Sequence, residues 1–137
     1  MENKKKILVV EDDRDINELI SYNLVKEGFA VTSAYDGIAA KETLHLEHFD
    51  IVVLDIMLPG LDGFNICKAL KDNPKAFNTF VVVISAKCDM QDKLYAHILG
   101  ADYYLSKPFN IGVLIGIIRE MAVLSDKEFL VEKCSMK

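Results

Sequence analysis

Carboxylates, a hydroxyl and an ammonium group each follow a short apolar run of the sequence. The acidic residues are Glu11, Asp12 and Asp55, and the others are Ser85 and Lys107. Two carboxylates ~4 Å apart repel by on the order of 4 kcal/mol at an effective dielectric of about 20, so a converging set must share a proton or bind a hard cation. Mg²⁺ takes carboxylate, carbonyl and water ligands. A carboxylate that accepts a phosphoryl group, cations that neutralise it and a hydroxyl that holds one of its oxygens would use the whole set.

The apolar runs that precede these residues are predicted strands. Three of them, ILVV, IVVL and FVVVI, are continuous and rich in β-branched residues. Such runs are typical of strands that are buried on both faces of a parallel sheet. We predict five strands, over residues 7–10, 29–34, 51–54, 80–84 and 103–106.

Segments with helical spacing lie between the predicted strands. The first carries the stripe of an amphipathic helix at Ile16, Leu19, Ile20 and Leu24, and Gly28 is placed to end it. Four more helices are predicted, from Gly37 to about Glu47, from Asp62 to before Asn73, from Asp89 to Gly100 and from about Asn110 to Leu124. We read four aspartates as N-caps, although Asp13 could also join the acidic pair: Asp13, Asp36, Asp62 and Asp89.

The order of these segments predicts the fold class. Strand and helix alternate five times, which indicates an α/β fold with a parallel sheet, helices on both faces and right-handed crossovers. Ligand sites in a doubly wound sheet lie beyond the carboxyl ends of the strands. We therefore expect the acidic residues, Ser85 and Lys107 to meet at one edge of the sheet.

Length and composition exclude several classes of protein. The chain has 137 residues, of which 51% are apolar, and this fits one domain, predicted at 1–124 with a tail or linker at 125–137. The net charge of −5 argues against direct nucleic-acid binding. The longest apolar stretch, 111–118, is too short to span a membrane. Three widely spaced cysteines form no metal motif and favour a reducing cytoplasm.

Four motifs in fixed order carry a resemblance to a known family. ILVVEDD, VVLDIMLPGLDG, VVVISA and GADYYLSKPF resemble the receiver domain of bacterial response regulators, over about residues 5–124. The resemblance implies a flavodoxin-like (βα)5 sandwich with strand order 2-1-3-4-5. It also implies a Mg²⁺-dependent function in two-component signalling, with a phosphoryl group received from a sensor histidine kinase or a phosphotransfer protein.

The resemblance assigns a role to each acidic residue of the expected site. Asp55 is expected to be the phosphoryl acceptor and a metal ligand. Asp12 would bind Mg²⁺ directly, whereas Glu11 would act mainly through water. The backbone carbonyl of Met57 would be a further ligand.

The resemblance also implies a conformational switch. Ser85 would close on the phosphoryl oxygen, and Tyr104 would swing inward when Ser85 moves. Lys107 would pair with the aspartate and then with the phosphate, and its bond to Pro108 is expected to be cis. The side chains of Met57 and Lys87 lie at positions that tune dephosphorylation in the family. The domain would catalyse only its own phosphorylation and dephosphorylation, so it is not expected to be an enzyme with an outside substrate.

Two other functional classes fit the residues less well. A receiver fold used only as a non-phosphorylated docking module could lose the acidic set, Ser85 and Lys107, but this chain has them all. An enzyme on the same architecture would need other motifs. EDDRDIN after the first strand excludes a flavin phosphate loop and a GxGxxG motif, and Met57 occupies the place of the second aspartate of a dehalogenase-type phosphatase.

The last predicted helix is apolar around most of its circumference. Val113, Ile115 and Ile117 accompany the expected core residues Leu114 and Ile118. We expect this helix to form a protein–protein surface, either in a homodimer or with an effector. The alternative is that the segment 125–137, which contains FLV at 129–131, folds back and covers it. The sequence leaves both open.

Overall fold

Strands and helices alternate along the chain as the sequence predicts. The computed structural model describes residues 4–58, 62–76, 78–86 and 89–126. The elements in chain order are β1 (Lys6–Val10), α1 (Arg14–Lys26), β2 (Ala30–Ala34), α2 (Gly37–Leu46), β3 (Ile51–Asp55), α3 (Gly63–Asp72), a 3₁₀ turn (Pro74–Ala76), β4 (Phe80–Ser85), α4 (Met90–Ile98), β5 (Tyr103–Ser106) and α5 (Ile111–Asp126). Among the described residues, no helix is both long enough and apolar enough to cross a membrane.

The five strands form one parallel sheet in the order β2-β1-β3-β4-β5. This is the predicted flavodoxin-like topology, and it is confirmed. β1 and β3 are central neighbours, with Val10 opposite Leu54. On the other side of β3, β4 pairs with β5 so that Ser85 lies opposite Ser106. The residues that follow β1, β3, β4 and β5 therefore emerge at the same edge.

Alternating side chains of the strands build two separate cores. One face of the sheet packs against α2, α3 and α4, and the other packs against α1 and α5. Neighbours in the chain point to opposite faces: Leu8 and Val10 join the first core, while Ile7 and Val9 join the second. Burial on both faces explains why these strands are continuously apolar.

The helix ends follow the predicted capping. All four predicted N-cap aspartates accept backbone N–H bonds at the starts of their helices: Asp13, Asp36, Asp62 and Asp89. Gly28 has φ +98° just after α1, and its N–H donates to the carbonyl of Val25, 3.0 Å away. This left-handed conformation, which glycine adopts without strain, turns the chain from α1 into β2.

The structure corrects the expectation for α5. Ile115 and Ile117 are only 6% and 8% exposed and belong to the core on the α1 side, together with Leu114 and Ile118. Of the residues singled out, only Val113 faces solvent, at 49%. The apolar arc is wide because α5 packs against the sheet with α1 beside it, as the Arg119–Glu27 ion pair shows. The two isoleucines therefore do not form an outer surface.

Two predictions concern the end of the chain. One is that the last segment folds back over α5, and the other is that the domain ends at residue 124. α5 continues to Asp126, two residues past the predicted boundary at 124. The segment 127–137 lies outside the described residues. The division into a domain and a tail thus stays a prediction, as does the fold-back of the segment.

Candidate functional site

Three carboxylates converge where β1 and β3 end. One oxygen from each of Glu11, Asp12 and Asp55 lies within 4.8 Å of the others. The proximity follows from the register, because Val10 and Leu54 are paired and the next residues, Glu11 and Asp55, therefore lie side by side. Glu11 is 0% exposed and Asp55 is 3% exposed, whereas Asp12 faces solvent. The cluster is therefore buried at Glu11 and Asp55 and open to solvent at Asp12.

Lys107 brings a cation into this cluster. Its Nζ lies 2.5 Å from Glu11 Oε1 and 2.8 Å from Asp55 Oδ2. The lysine reaches the site because its own N–H donates to the carbonyl of Ser85, 2.8 Å away, and extends the β4–β5 pairing. The Lys107–Pro108 bond is cis, as predicted.

The Asp55 carboxylate is held through both oxygens. Oδ1 accepts the N–H of Met57 at 2.9 Å, and Oδ2 accepts from Lys107. The chain that follows packs closely against the start of α3, since a Cβ at Gly63 would lie 2.4 Å from the Cα of Ile56. Only glycine fits at this approach. The backbone next to the carboxylate is therefore fixed by α3.

The pKa values of Glu11 and Lys107 are both raised, but for different reasons. Burial raises the pKa of Glu11 to about 7, although Lys107 and the N–H of Asp13 partly offset this. Burial lowers the pKa of Lys107, but its contacts with the carboxylates of Asp55 and Glu11 outweigh burial and raise it overall. The lysine therefore stays charged beside Asp55, while Glu11 can carry a proton near neutral pH.

The donor set fits a hard divalent cation. Three carboxylates face one cationic side chain, so the cluster keeps an excess of negative charge when all are ionised. Glu11 Oε1 is buried and forms an ion pair with Lys107, and within the described part of the chain no hydrogen bond of good geometry reaches it. Oxygen donors with an open, solvent-facing side are what Mg²⁺ requires, because it keeps several of its waters.

Comparison with known proteins now decides the family. The family model of the response regulator receiver domain matches residues 7–119. The chain belongs to this family.

Solved receiver domains share its fold over most of their length. The receiver domain of the Francisella response regulator 1452 is 34% identical, with 91% of this chain and 99% of that chain covered at a TM-score of 0.79. A CheY-like receiver domain from Methanospirillum hungatei is 25% identical, with 92% and 99% covered at a TM-score of 0.86. The BeF3-activated DrrB receiver domain is 31% identical, with 88% and 98% covered at a TM-score of 0.79.

The remaining predicted residues of this receiver domain lie on the β4–β5 side of the site. Ser85 ends β4 and is fully buried. Tyr104 lies on β5 opposite Val83 and packs, half-buried, against the core that contains α4. These positions suit the predicted switch roles, which stay predictions. Lys87 lies outside the described residues, so its predicted effect on dephosphorylation has no structural counterpart here.

One polar residue behind the receiver site was not singled out from the sequence. Asn17 is fully buried on the inner face of α1, and its amide donates to the carbonyl of Glu11 at 3.0 Å. A signal was available, because Asn17, Ile20 and Leu24 follow the spacing of a buried helical stripe on which a polar residue needs a specific partner.

Proposed function

We propose that this receiver domain is a phosphorylation-dependent switch of a two-component system. Asp55 would accept a phosphoryl group from a phosphohistidine of a histidine kinase or a phosphotransfer protein. The observation that carries the proposal is the contact of one ammonium group, Lys107 Nζ, with both Asp55 and Glu11. This contact holds a nearly buried carboxylate against a cation inside an acidic cluster that opens to solvent at Asp12.

The transfer exchanges one bond to phosphorus for another. An oxygen of Asp55 attacks phosphorus, and the P–N bond to the donor imidazole breaks as the P–O bond of an acyl phosphate forms. The electron pair of the broken bond returns to the imidazole nitrogen. Because Met57 N–H and Lys107 each hold one Asp55 oxygen, the nucleophile is oriented before the donor arrives.

The acidic residues of the cluster support a Mg²⁺ requirement. Asp12, Asp55 and the backbone carbonyl of Met57 would hold the ion, and Glu11 would act mainly through a water. When bound, Mg²⁺ supplies positive charge to the transferring phosphoryl group. Lys107 would supply the second cation, moving from the Asp55 carboxylate to the phosphoryl oxygens.

The β4–β5 side would convert phosphorylation into a change of surface. The added negative charge at Asp55 would draw the hydroxyl of Ser85 and the ammonium of Lys107 inward, and Tyr104 would follow. The exposed face that would respond lies around α4, β5 and α5. It carries large apolar side chains that a partner protein could bury: Met90, Leu94, Tyr95, Ile98 and Tyr103.

The domain would act on no outside substrate. An acceptor that keeps the phosphoryl group on its own side chain is consumed once per transfer, so the residues assist only their own phosphorylation and dephosphorylation. We place the protein in the cytoplasm, and the free, buried thiol of Cys67 suits a reducing compartment.

Fluorine NMR with beryllofluoride tests the proposal, because BeF3⁻ on a carboxylate mimics an acyl phosphate. We expect bound fluorine signals only when Mg²⁺ is present, and none from Asp55→Asn. The control Asp62→Asn alters a capping carboxylate near the site and should behave as the parent. Equal binding by Asp55→Asn would move the acceptor elsewhere. A parent that binds neither Mg²⁺ nor BeF3⁻ would favour the docking module.

A further inference from the structure

The amide of Asn17 joins the first turns of α1 to the ends of two strands. Its Nδ2 donates to the carbonyl of Glu11 at 3.0 Å and to that of Ala34 at 3.2 Å, and it lies 3.4 Å from the carbonyl of Val9. The flipped amide would set Oδ1 against three carbonyl oxygens, so these partners fix its orientation.

A second pair of side chains supports the amide from the other side. Asn17 Oδ1 accepts the hydroxyl of Ser21 at 3.1 Å. Since the proton of Ser21 is used there, Ser33 on β2 donates to Ser21 across 3.0 Å. Both polar ends of Asn17 are therefore satisfied, as a fully buried amide requires.

The location of these bonds relates Asn17 to the acidic cluster. Glu11 is the first residue after β1, and its N–H donates to the carbonyl of Ala34. The backbone from Glu11 to Asp13 then turns into α1, where Asp13 caps the helix and its N–H donates to Glu11 Oε2. With the Glu11 carbonyl held by Asn17, the peptide between the two acidic residues of the pair has one orientation.

We propose that Asn17 is a positioning residue for the Mg²⁺ site. It touches neither the ion nor the phosphoryl group, but it fixes the peptide from which the carboxylates of Glu11 and Asp12 project. The inference rests on the proposed function, since it concerns the same site. A merely structural role would lower stability and leave the affinity of the folded protein for Mg²⁺ unchanged.

The experiment compares Mg²⁺ binding by the folded variants Asn17→Ala and Asn23→Ala. Asn23 is the matched control, because its amide lies on the same helix but donates locally to the carbonyl of Leu19. Calorimetric titration with Mg²⁺ alone should show Kd raised about tenfold in Asn17→Ala, the low end of the effect of outer residues at metal sites. Asn23→Ala should match the parent. Urea unfolding of the same samples separates affinity from stability.

The kinetics of phosphorylation give a second way to distinguish a positioning role of Asn17 from a merely structural one. With acetyl phosphate as donor, Asn17→Ala should need about tenfold more Mg²⁺ for half-maximal phosphorylation, yet approach the rate of the parent when Mg²⁺ saturates. If Asn17→Ala does not fold, Ser21→Ala carries the test. It removes the support of Oδ1 together with the contact to Ser33 and should raise the Kd for Mg²⁺ about threefold, an effect of the size that one hydrogen bond contributes.

The outcomes separate this inference from the proposed function. An unchanged Kd for Mg²⁺ in folded Asn17→Ala, or in folded Ser21→Ala if the first variant does not fold, would overturn the role of Asn17 while the parent still bound Mg²⁺. A parent without Mg²⁺ binding would instead overturn the proposed function, and this inference with it.

Discussion

The two sides of the site are built differently. On the β1 side, α1 buries Asn17, Ile20 and Leu24 against the sheet, and the acidic residues lie on this packed support. On the β4–β5 side, α4 buries only Ala96 among its nine residues. Leu94 and Ile98 on the same helix are 57% and 67% exposed.

Under the proposed function, this difference would separate the part of the site that does the chemistry from the part that changes conformation. Metal and phosphoryl groups need donors held in a fixed geometry, and the packed side supplies them. A segment with few buried contacts opens or shifts at small cost in free energy, and α4 has this character. α4 also contacts α3, the helix that follows β3 and Asp55: the rings of Phe64 on α3 and Tyr95 on α4 meet edge to face, with centroids 4.7 Å apart.

The largest expected effect is on the free energy of unfolding, when one apolar side chain on each side of the site is truncated to alanine. Ile20→Ala should lower the free energy of unfolding by about 2–5 kcal/mol, because it leaves a cavity in a closed core. Leu94→Ala should change it by less than about 0.5 kcal/mol, because that side chain is mostly exposed. Urea unfolding monitored by circular dichroism measures both. Equal losses would remove the contrast between the two helices.

Stability on the acidic side should depend on pH through Glu11. Its pKa is about 7 in the folded protein and 4.5 when unperturbed, so between these values the folded state holds a proton that the unfolded state has released. The contribution of Glu11 to the free energy of unfolding therefore falls as pH rises from about 4.5 to 7, by about 1–3 kcal/mol, and levels off above. Unfolding in a metal-free buffer with a chelator measures it.

The substitution Glu11→Gln isolates this contribution. The difference in unfolding free energy between parent and Glu11→Gln should fall across that pH window. Glu42→Gln, which alters an exposed carboxylate on α2, should follow the parent at every pH. A difference between parent and Glu11→Gln that stays flat with pH would show that Glu11 is ionised throughout the window.

Asp12, at the solvent-exposed side of the cluster, should control the affinity for Mg²⁺. Asp12→Asn keeps the size of the side chain but removes the exposed charge that would bind Mg²⁺ directly, so the Kd for Mg²⁺ should rise at least about tenfold. Asp36→Asn, a capping aspartate outside the cluster, is the control. Calorimetric titration measures both, and an unchanged Kd in Asp12→Asn would remove Asp12 from the ligand set.

The smallest effect concerns Tyr104, which is proposed to transmit the change at the acidic cluster to α4 through the β4–β5 side. Tyr104→Ala should leave BeF3⁻ binding within about threefold of the parent, because the tyrosine lies outside the acidic cluster. The amide shifts of α4 that accompany BeF3⁻ binding should shrink in this variant. Two-dimensional NMR gives both readouts. If the amide shifts of α4 in Tyr104→Ala are as large as in the parent, Tyr104 does not transmit the change. The Phe64–Tyr95 contact would then be the next candidate.

The sequence predicts the fold and the convergence of the cluster well. Continuous apolar strands, capping aspartates and βα alternation each have one simple structural solution, and parallel strands bring their carboxyl ends together. For α5, the apolar pattern predicts an outer surface, and this prediction is wrong for Ile115 and Ile117, which are buried. A helical pattern shows which residues are apolar, but the width of the buried arc depends on the neighbouring helix.

Helical spacing marks Asn17 as a buried residue of α1, but neither its hydrogen-bond partners nor the protonation of the site follow from such patterns. Its amide donates to the backbone carbonyls of Glu11, just after β1, and of Ala34 on β2, and no side-chain motif records these bonds. The raised pKa of Glu11 results from complete burial, and burial is set by the packing of the whole edge of the sheet.

The most direct test of the account is the site of phosphoryl uptake. The parent and Asp55→Asn are incubated with acetyl phosphate and Mg²⁺, and their intact masses are measured. Borohydride reduction and peptide mapping then locate the acyl phosphate. The account predicts one phosphoryl group on the parent, located at Asp55, and none on Asp55→Asn. A phosphoryl group on another residue, or equal uptake by both proteins, would contradict it.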